Sequence, residues 1–166
     1  TIQKAQQSDY EYVWEKKLLG TIGGVSLIDN FIHDNVLITN SDLLTNINYE
    51  QFFLEFISKK ADLAVLSIPY QVNIPYAVLQ TDNGDIKSLN EKPNYTYYSN
   101  GGVYLLKKEV LKYIPKNKFF NATDLVEELI KQQLKVISIP FSGYWLDIGK
   151  HEDFEKAQFD LKNIIF

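Results

Sequence analysis

The sequence predicts an α/β fold: a mixed, mostly parallel sheet with helices on both faces. Three observations carry it. Short apolar runs at 35–39, 63–68 and 136–139 have the length and branching of buried strands. They alternate with segments whose apolar residues recur at helical spacing, the pattern of parallel sheets. Between two further runs stands Asn83-Gly84, a hairpin turn that adds an antiparallel element.

The elements follow in order. Residues 10–14, Tyr-Glu-Tyr-Val-Trp, read as a strand. Gly20 to Gly24 is a glycine-rich turn opening a short helix through Leu27. After the run 35–39, Phe52, Phe53, Phe56 and Ile57 share one face of a helix. Residues 63–68 form the next buried strand. Residues 77–80 and 86–89 flank Asp82-Asn83-Gly84-Asp85, where both central positions need positive φ. Residues 102–106 read as a strand. Asn121 caps a helix with Asp124 in its first turn, burying Leu125, Val126, Leu129 and Ile130. A strand at 136–139 and a last helix carrying Phe154, Ala157 and Leu161 on one side complete the chain. No repeat, low-complexity tract or linker interrupts it, so one domain over 1–166 is expected.

Composition narrows the function. The 166 residues are 45% hydrophobic and 23% charged, a globular balance. There is no run long enough to span a bilayer and no secretion signal, and cysteine is absent. That excludes disulfides, thiolate zinc sites and a cysteine nucleophile, and fits the cytoplasm. The net charge is −4 without a basic stripe, which argues against nucleic acid as a partner. All 17 basic residues are lysines, so no bidentate arginine clamp on phosphate is available within these residues. Methionine is absent even at position 1, from which a fragment of a longer chain is expected.

In parallel sheets ligands sit outside the carboxyl ends of the strands, so residues just after apolar runs are the candidates. Asp42 follows the run 35–39 within Asn40-Ser41-Asp42, a place suited to holding a divalent cation or merely to a turn. Asp147 lies in Gly143-Tyr144-Trp145-Leu146-Asp147-Ile148-Gly149, after the last strand. Two carboxylates at one sheet edge suit phosphoryl chemistry, where Mg²⁺ neutralises developing charge. Glu91-Lys92-Pro93 ends the hairpin. Its proline stops the ladder and its lysine offers a point charge for phosphate, although an exposed salt pair is the plainer reading. The turn Leu19-Gly20-Thr21-Ile22-Gly23-Gly24 exposes backbone N–H groups, but it is neither a Walker A motif nor GxGxxG. Asn100-Gly101-Gly102 offers an amide to sugar hydroxyls or makes a turn. Tyr95, Tyr97 and Tyr98 read as partly exposed packing, and His33 and His151 as surface residues.

The order of these landmarks is more specific than any one of them. Glu15-Lys16-Lys17-Leu18-Leu19-Gly20-Thr21, Asn40-Ser41-Asp42-Leu43-Leu44-Thr45, Pro75-Tyr76-Ala77-Val78, Glu91-Lys92-Pro93, Asn100-Gly101-Gly102-Val103-Tyr104 and the stretch 143–149 follow one another. From about Val13 to Gln158 the chain resembles the sugar-1-phosphate nucleotidylyltransferases, the nucleoside-diphosphate-sugar pyrophosphorylases. The mannose-1-phosphate guanylyltransferase-like branch is the nearest in flavour. The resemblance implies a Rossmann-like fold and partners that are a nucleoside triphosphate, GTP favoured, and a sugar 1-phosphate. The sugar phosphate oxygen attacks the α-phosphorus in line and pyrophosphate leaves. It implies Mg²⁺ on Asp42 and Asp147, and Lys92 on the sugar phosphate. Leu19, Gly20 and Thr21 would read the base. Tyr76, Ala77, Glu91, Asn100 and Trp145 would surround the sugar. The product would be an activated sugar for polysaccharide or glycoprotein.

Three departures qualify the resemblance. The family opens with a strand and a glycine-rich loop carrying arginine and lysine that cradle the triphosphate, and nothing here matches it. The 166 residues are therefore expected to be incomplete at the N-terminus and inactive alone. Self-association through an uncovered strand edge is left open. Ala77 stands where glycine is usual, narrowing the sugar pocket, and Ser41 replaces a glycine before Asp42. A catalytically dead sugar-nucleotide-binding subunit with a regulatory or assembly role is the alternative. A flavodoxin-like module fits the alternation but leaves the ordered motifs unexplained.

Overall fold

The computed structural model describes residues 12–163. It resolves into two compact units. One holds the chain up to Val36 and Lys107–Leu134, the other Leu37–Leu106 and the chain from Lys135 onward.

The second unit is built on a four-stranded sheet. Its strands are β1 (Asn35–Thr39), β3 (Leu63–Asn73), β6 (Asn94–Lys107) and β7 (Val136–Pro140), in the order β1-β6-β3-β7. β3 runs parallel to β7 and antiparallel to β6, so the sheet is mixed, as the sequence led us to expect. Along β3, Ala64 and Leu66 on one face and Leu63 and Ser67 on the other are all buried. A strand covered on both faces has no use for alternation, which is why 63–68 reads as a continuous apolar run. The helix α1 (Tyr49–Ser58) lays Phe52 and Phe56 on Ala64, Leu66, Val103, Leu105 and Ile139. Full burial of Phe56 alone stabilises by about 1.5–3 kcal/mol. Asn48 caps α1, its Oδ1 accepting the Gln51 N–H at 2.9 Å. Lys60, at φ 50°, ends it: the Ala61 N–H reaches back to the Phe56 carbonyl and the Lys60 N–H to that of Ile57.

Two small ribbons complete this unit. β2 (Leu43–Thr45) pairs antiparallel with β8 (Trp145–Asp147), and β4 (Val78–Asp82) with β5 (Asp85–Asn90). The β4–β5 turn has Asn83 at φ 49° and Gly84 at φ 91°, the two positive angles that Asn-Gly predicts. The last helix, α3 (His151–Asn163), buries Ala157, whereas Phe154 and Leu161 stay largely exposed.

In the first unit, a short 3₁₀ helix (Gly23–Leu27) follows the glycine turn, as expected. The helix α2 (Ala122–Lys131) buries Ala122, Leu125 and Leu129. Asp124 accepts the Asn121 N–H at 2.7 Å, closing its first turn. Ile130, expected to be buried, is 58% exposed. At 100° per residue it lies about 120° off the middle of the stripe through Leu125 and Leu129. Phe53 and Ile57 of α1 are offset in the same way and half-exposed. The strand expected at 10–14 is not formed by its described residues, Tyr12, Val13 and Trp14. Alternating aromatic and branched residues have the propensity, but a strand needs a ladder partner, and Trp14 is 87% exposed. Tyr10 and Glu11 lie outside the described residues.

Candidate functional site

The β2/β8 ribbon brings Asp42 and Asp147 together. Leu43 stands opposite Asp147, Leu44 opposite Leu146 and Thr45 opposite Trp145. One step further, the Ile148 N–H donates to the Asp42 carbonyl at 2.7 Å. The two aspartates, 105 residues apart in sequence, are thus diagonal neighbours at one end of the ribbon, and both are exposed. Among the described residues no group of three or more His, Cys, Asp or Glu could hold a metal. A pair of exposed carboxylates is a donor set that suits an ion which keeps its waters and takes substrate phosphate oxygens, as Mg²⁺ does.

The ribbon is tied to a break in the main sheet. Between the pairs Val65–Tyr104 and Ser67–Asn100, residues 101–103 of β6 face the single Leu66 of β3. Gly102 has φ 72°, and a Cβ on Gly101 would lie 2.9 Å from the Leu66 carbonyl oxygen, so both glycines are required by the bulge. The Trp145 indole N–H donates to the Gly101 carbonyl at 2.8 Å, and its ring packs on the core beside Leu43. The Asn40 N–H donates to the Gly102 carbonyl at 2.8 Å. Both approaches to the aspartate pair are therefore fastened to one bulge. Asn100 serves the same bulge. Its Oδ1 accepts the Gly102 N–H at 2.9 Å, and its Nδ2 donates to the Tyr104 hydroxyl at 2.6 Å. One lone pair and one N–H of that amide are left over for a ligand. Burial pushes the Tyr104 hydroxyl above its ordinary pKa, so it stays protonated.

Tyr76, Ala77, Glu91 and Lys92 gather at a second place. The β3/β6 ladder ends at the pair Asn73–Asn94, and the β4/β5 ladder begins at Val78–Asn90. The two connecting loops are joined by the Ile74 N–H donating to the Pro93 carbonyl at 3.1 Å. Pro93 is buried, and Lys92 holds φ 44° beside it. All four candidates are exposed. Along β6 this junction lies about 20 Å from Asn100, at the usual rise per strand residue.

Leu19, Gly20 and Thr21 belong to the first unit, where the turn leans on residues 120–122. The Phe120 N–H donates to the Leu19 carbonyl at 2.9 Å. The Ile22 and Gly23 N–H groups donate to the Phe120 carbonyl. The Thr21 N–H donates to Asn121 Oδ1 at 3.3 Å, and Thr21 Oγ1 accepts the Ala122 N–H at 2.9 Å. Most backbone groups of the turn are thereby spent. The N–H and C=O of Gly20 carry no such bond among the described residues. Gly20 has φ 79°, and a Cβ there would sit 2.6 Å from the Phe120 carbonyl oxygen. His33 and His151 are exposed, as expected, the latter 3.5 Å from Glu155.

A family model for nucleotidyl transferases matches residues 1–164. The chain belongs to the nucleotidyl transferase family. Among relatives of this family, it is 29% identical over 154 residues to the bifunctional protein GlmU of Methanocaldococcus jannaschii, covering 89% of this chain and 36% of that protein. It is 29% identical over 157 residues to the D-glycero-alpha-D-manno-heptose 1-phosphate guanylyltransferase of Aneurinibacillus thermoaerophilus, covering 93% and 68%. A glucose-1-phosphate adenylyltransferase of Clostridium kluyveri is 26% identical, over 82% of this chain and 39% of its own length. The chain thus spans less than two fifths of the curated relatives GlmU and the clostridial enzyme. Among solved structures, a putative glucose-1-phosphate thymidylyltransferase of Bacillus anthracis superposes with a TM-score of 0.65 at 24% identity, covering 90% of this chain and 64% of that one. This likeness concerns the fold. Among the described residues of this nucleotidyl transferase family member, no helix is long and apolar enough to cross a membrane.

The sequence reading missed Asn46, Tyr144 and Asp160. The Tyr144 hydroxyl donates to Asp160 at 2.6 Å, and Asn46 bonds the Tyr144 backbone in both directions. The only signal in the sequence was Tyr144 within the stretch 143–149.

Proposed function

We propose that the protein transfers a nucleotidyl group from a nucleoside triphosphate to a sugar 1-phosphate, giving a nucleoside-diphosphate sugar and pyrophosphate. The observation that carries this reading is the register of β2 and β8. It lays Asp42 beside Asp147 in a member of the nucleotidyl transferase family. Both carboxylates would hold Mg²⁺. The ion, when bound, supplies positive charge to the phosphate oxygens.

The chain's own residues then position. Lys92 offers its ammonium to the sugar phosphate, and Tyr76, Ala77 and Glu91 flank it at the same junction. Asn100 offers its unspent N–H and lone pair to a sugar hydroxyl. It lies about 20 Å along β6 from the Lys92 junction, farther than one sugar 1-phosphate spans. Of the two, it is Asn100 that shares the bulge fastened to the aspartate ribbon. Trp145 contributes by holding the Gly101 carbonyl. Gly20 offers a base edge its backbone N–H and C=O, which carry no backbone bond among the described residues. The reaction is an in-line displacement needing no covalent enzyme intermediate, so catalysis is orientation plus charge stabilisation. GTP is the favoured donor, since the relatives include the heptose 1-phosphate guanylyltransferase and a putative mannose-1-phosphate guanyltransferase of Sulfolobus acidocaldarius, 29% identical. The adenylyltransferase relatives make ATP the first competitor. We place this activity in the cytoplasm, supplying an activated sugar for surface polysaccharide.

The test is pyrophosphate release by the full-length gene product with GTP, ATP, dTTP or UTP and a panel of hexose and heptose 1-phosphates. Asp147→Asn and Asp42→Asn should each cut turnover roughly 10²–10³-fold, several kcal/mol of charge stabilisation, with the fold intact. Unchanged turnover would refute the metal assignment. No release with any pair, but tight binding of a sugar nucleotide, would favour a binding subunit.

A further inference from the structure

The β2/β8 ribbon is only three pairs long. A two-stranded ribbon of that length has little stability of its own. Its backbone pairs carry no sequence information. A slip of one residue would turn the side chains of one strand to the opposite face and change which residue stands across from Asp147. Something must fix the register.

We propose that Asn46, Tyr144 and Asp160 form a positioning clamp that sets Asp42 beside Asp147. This rests on the reading of those two aspartates given above. At the end of the ribbon away from the aspartates, the Asn46 N–H donates to the Tyr144 carbonyl at 3.2 Å. The Tyr144 N–H donates back to the Asn46 side-chain Oδ1 at 2.8 Å. The first bond would form in any register, but the second needs an acceptor side chain opposite residue 144. Gly143 makes room, since a Cβ there would lie 2.7 Å from Asn46 Oδ1. Tyr144 is anchored in turn from α3. Its hydroxyl donates to Asp160 at 2.6 Å, Lys156 pairs with the same carboxylate, and the Lys156 ammonium stands 5.6 Å from the Tyr144 ring centroid. The chain of contacts thus runs from α3 through Tyr144 and Asn46 to the register of the aspartates. None of the three residues stands at the aspartate end, so they act through position alone.

Three measurements test this on the full-length gene product. Asn46→Ala should raise the amide exchange rate of Ile148, at the far end of the ribbon, at least tenfold. It should weaken Mn²⁺ binding, followed by electron paramagnetic resonance, roughly five- to twentyfold, and lower kcat with little change in KM for the sugar phosphate. Asn46→Asp keeps the acceptor and should restore all three readouts. Tyr144→Phe, which removes one hydroxyl without touching the backbone, should shift them in the same direction by a smaller factor. Unaltered Ile148 exchange and Mn²⁺ affinity in Asn46→Ala would overturn the clamp. Asp42→Asn and Asp147→Asn serve as controls. If they leave Mn²⁺ binding unchanged, the metal assignment fails. If they abolish it while Asn46→Ala does not weaken it, only the clamp fails.

Discussion

Gly102→Ala tests whether the bulge in β6 is held by packing as well as by backbone conformation. Gly102 has φ 72°, where an L side chain costs about 1–2 kcal/mol. A Cβ there would also lie 2.9 Å from Asn40 Nδ2 and 3.1 Å from both Asn40 Cγ and Leu43 Cδ1. Asn40 cannot simply retreat, because its N–H is bonded to the Gly102 carbonyl at 2.8 Å. Forcing these neighbours aside adds about 1–3 kcal/mol. The total is about 2–5 kcal/mol, a fall in Tm of roughly 4–20 °C for a chain of this size. Gly84→Ala provides the control. It has φ 91° but nothing within 4 Å of the added methyl, so only the conformational cost of about 1–2 kcal/mol applies. Urea titration followed by circular dichroism measures both, with unchanged m-values confirming a common denatured state. Equal losses in the two variants would refute the packing argument, and leave β6 strained only by its dihedral angles.

Three further outcomes are expected. Phe56→Ala should destabilise by about 3–5 kcal/mol in the same titration, since Phe56 is fully buried on the sheet; a loss under 1 kcal/mol would mean that the core refills the space. Alkaline stability should depend on Tyr144, whose hydroxyl is pushed up from 10.0 to about 12 by burial, and by the Asp160 carboxylate to which it is bonded. A raised pKa means that this stability is fully present below pH 10 and is lost as pH rises through about 12. Wild type should therefore lose Tm faster than Tyr144→Phe between pH 10 and 12, and parallel curves would contradict it. At the other end Asp160 is held below the ordinary carboxylate range by Lys156 and then by Tyr144. Its contribution is present above the unfolded pKa and disappears as pH falls through its lowered folded value, so Asp160→Asn should flatten the acid limb.

How far the sequence foretold the structure depended on how local each determinant is. The hairpin at Asn83-Gly84 was legible because two adjacent residues specify two positive φ angles. β3 was legible because burial on both faces leaves an unbroken apolar run, whereas β1 and β7 were read from their branched apolar residues although Leu37 and Ser138 are exposed. β6 was read only from Gly102, yet it begins at Asn94. Its first half carries exposed Tyr97 and Tyr98 and gains strand geometry only by pairing with β3. Tyr12, Val13 and Trp14 show the converse, propensity with no ladder to join. Asp42, Asp147, Lys92 and Asn100 were singled out as chemistry-bearing types next to breaks in pattern. That Asn100 spends half of its amide on the bulge and Trp145 its indole N–H on Gly101 was not legible, because both bonds depend on register. Asn46 was invisible for the same reason, its partner lying 98 residues away.

The order β1-β6-β3-β7 also constrains the sequence of events by which the sheet assembles. β3 and β6 are joined by a short connection containing the self-closing β4–β5 hairpin, so their ladder can zip from the Asn73–Asn94 end at little entropic cost. β7 reaches β3 only by pairing Leu63 with Val136, after the chain through 107–134 has been made. The β7 contact, and with it the β2/β8 ribbon that brings Asp147 to Asp42, therefore closes over a longer stretch of chain than the β3–β6 ladder does. A chain emerging from the ribosome has β3 and β6 available to pair before it has Asp147, and gains its second carboxylate only when synthesis has passed that residue. The pair of acidic groups is in this sense a marker that the ribbon has closed.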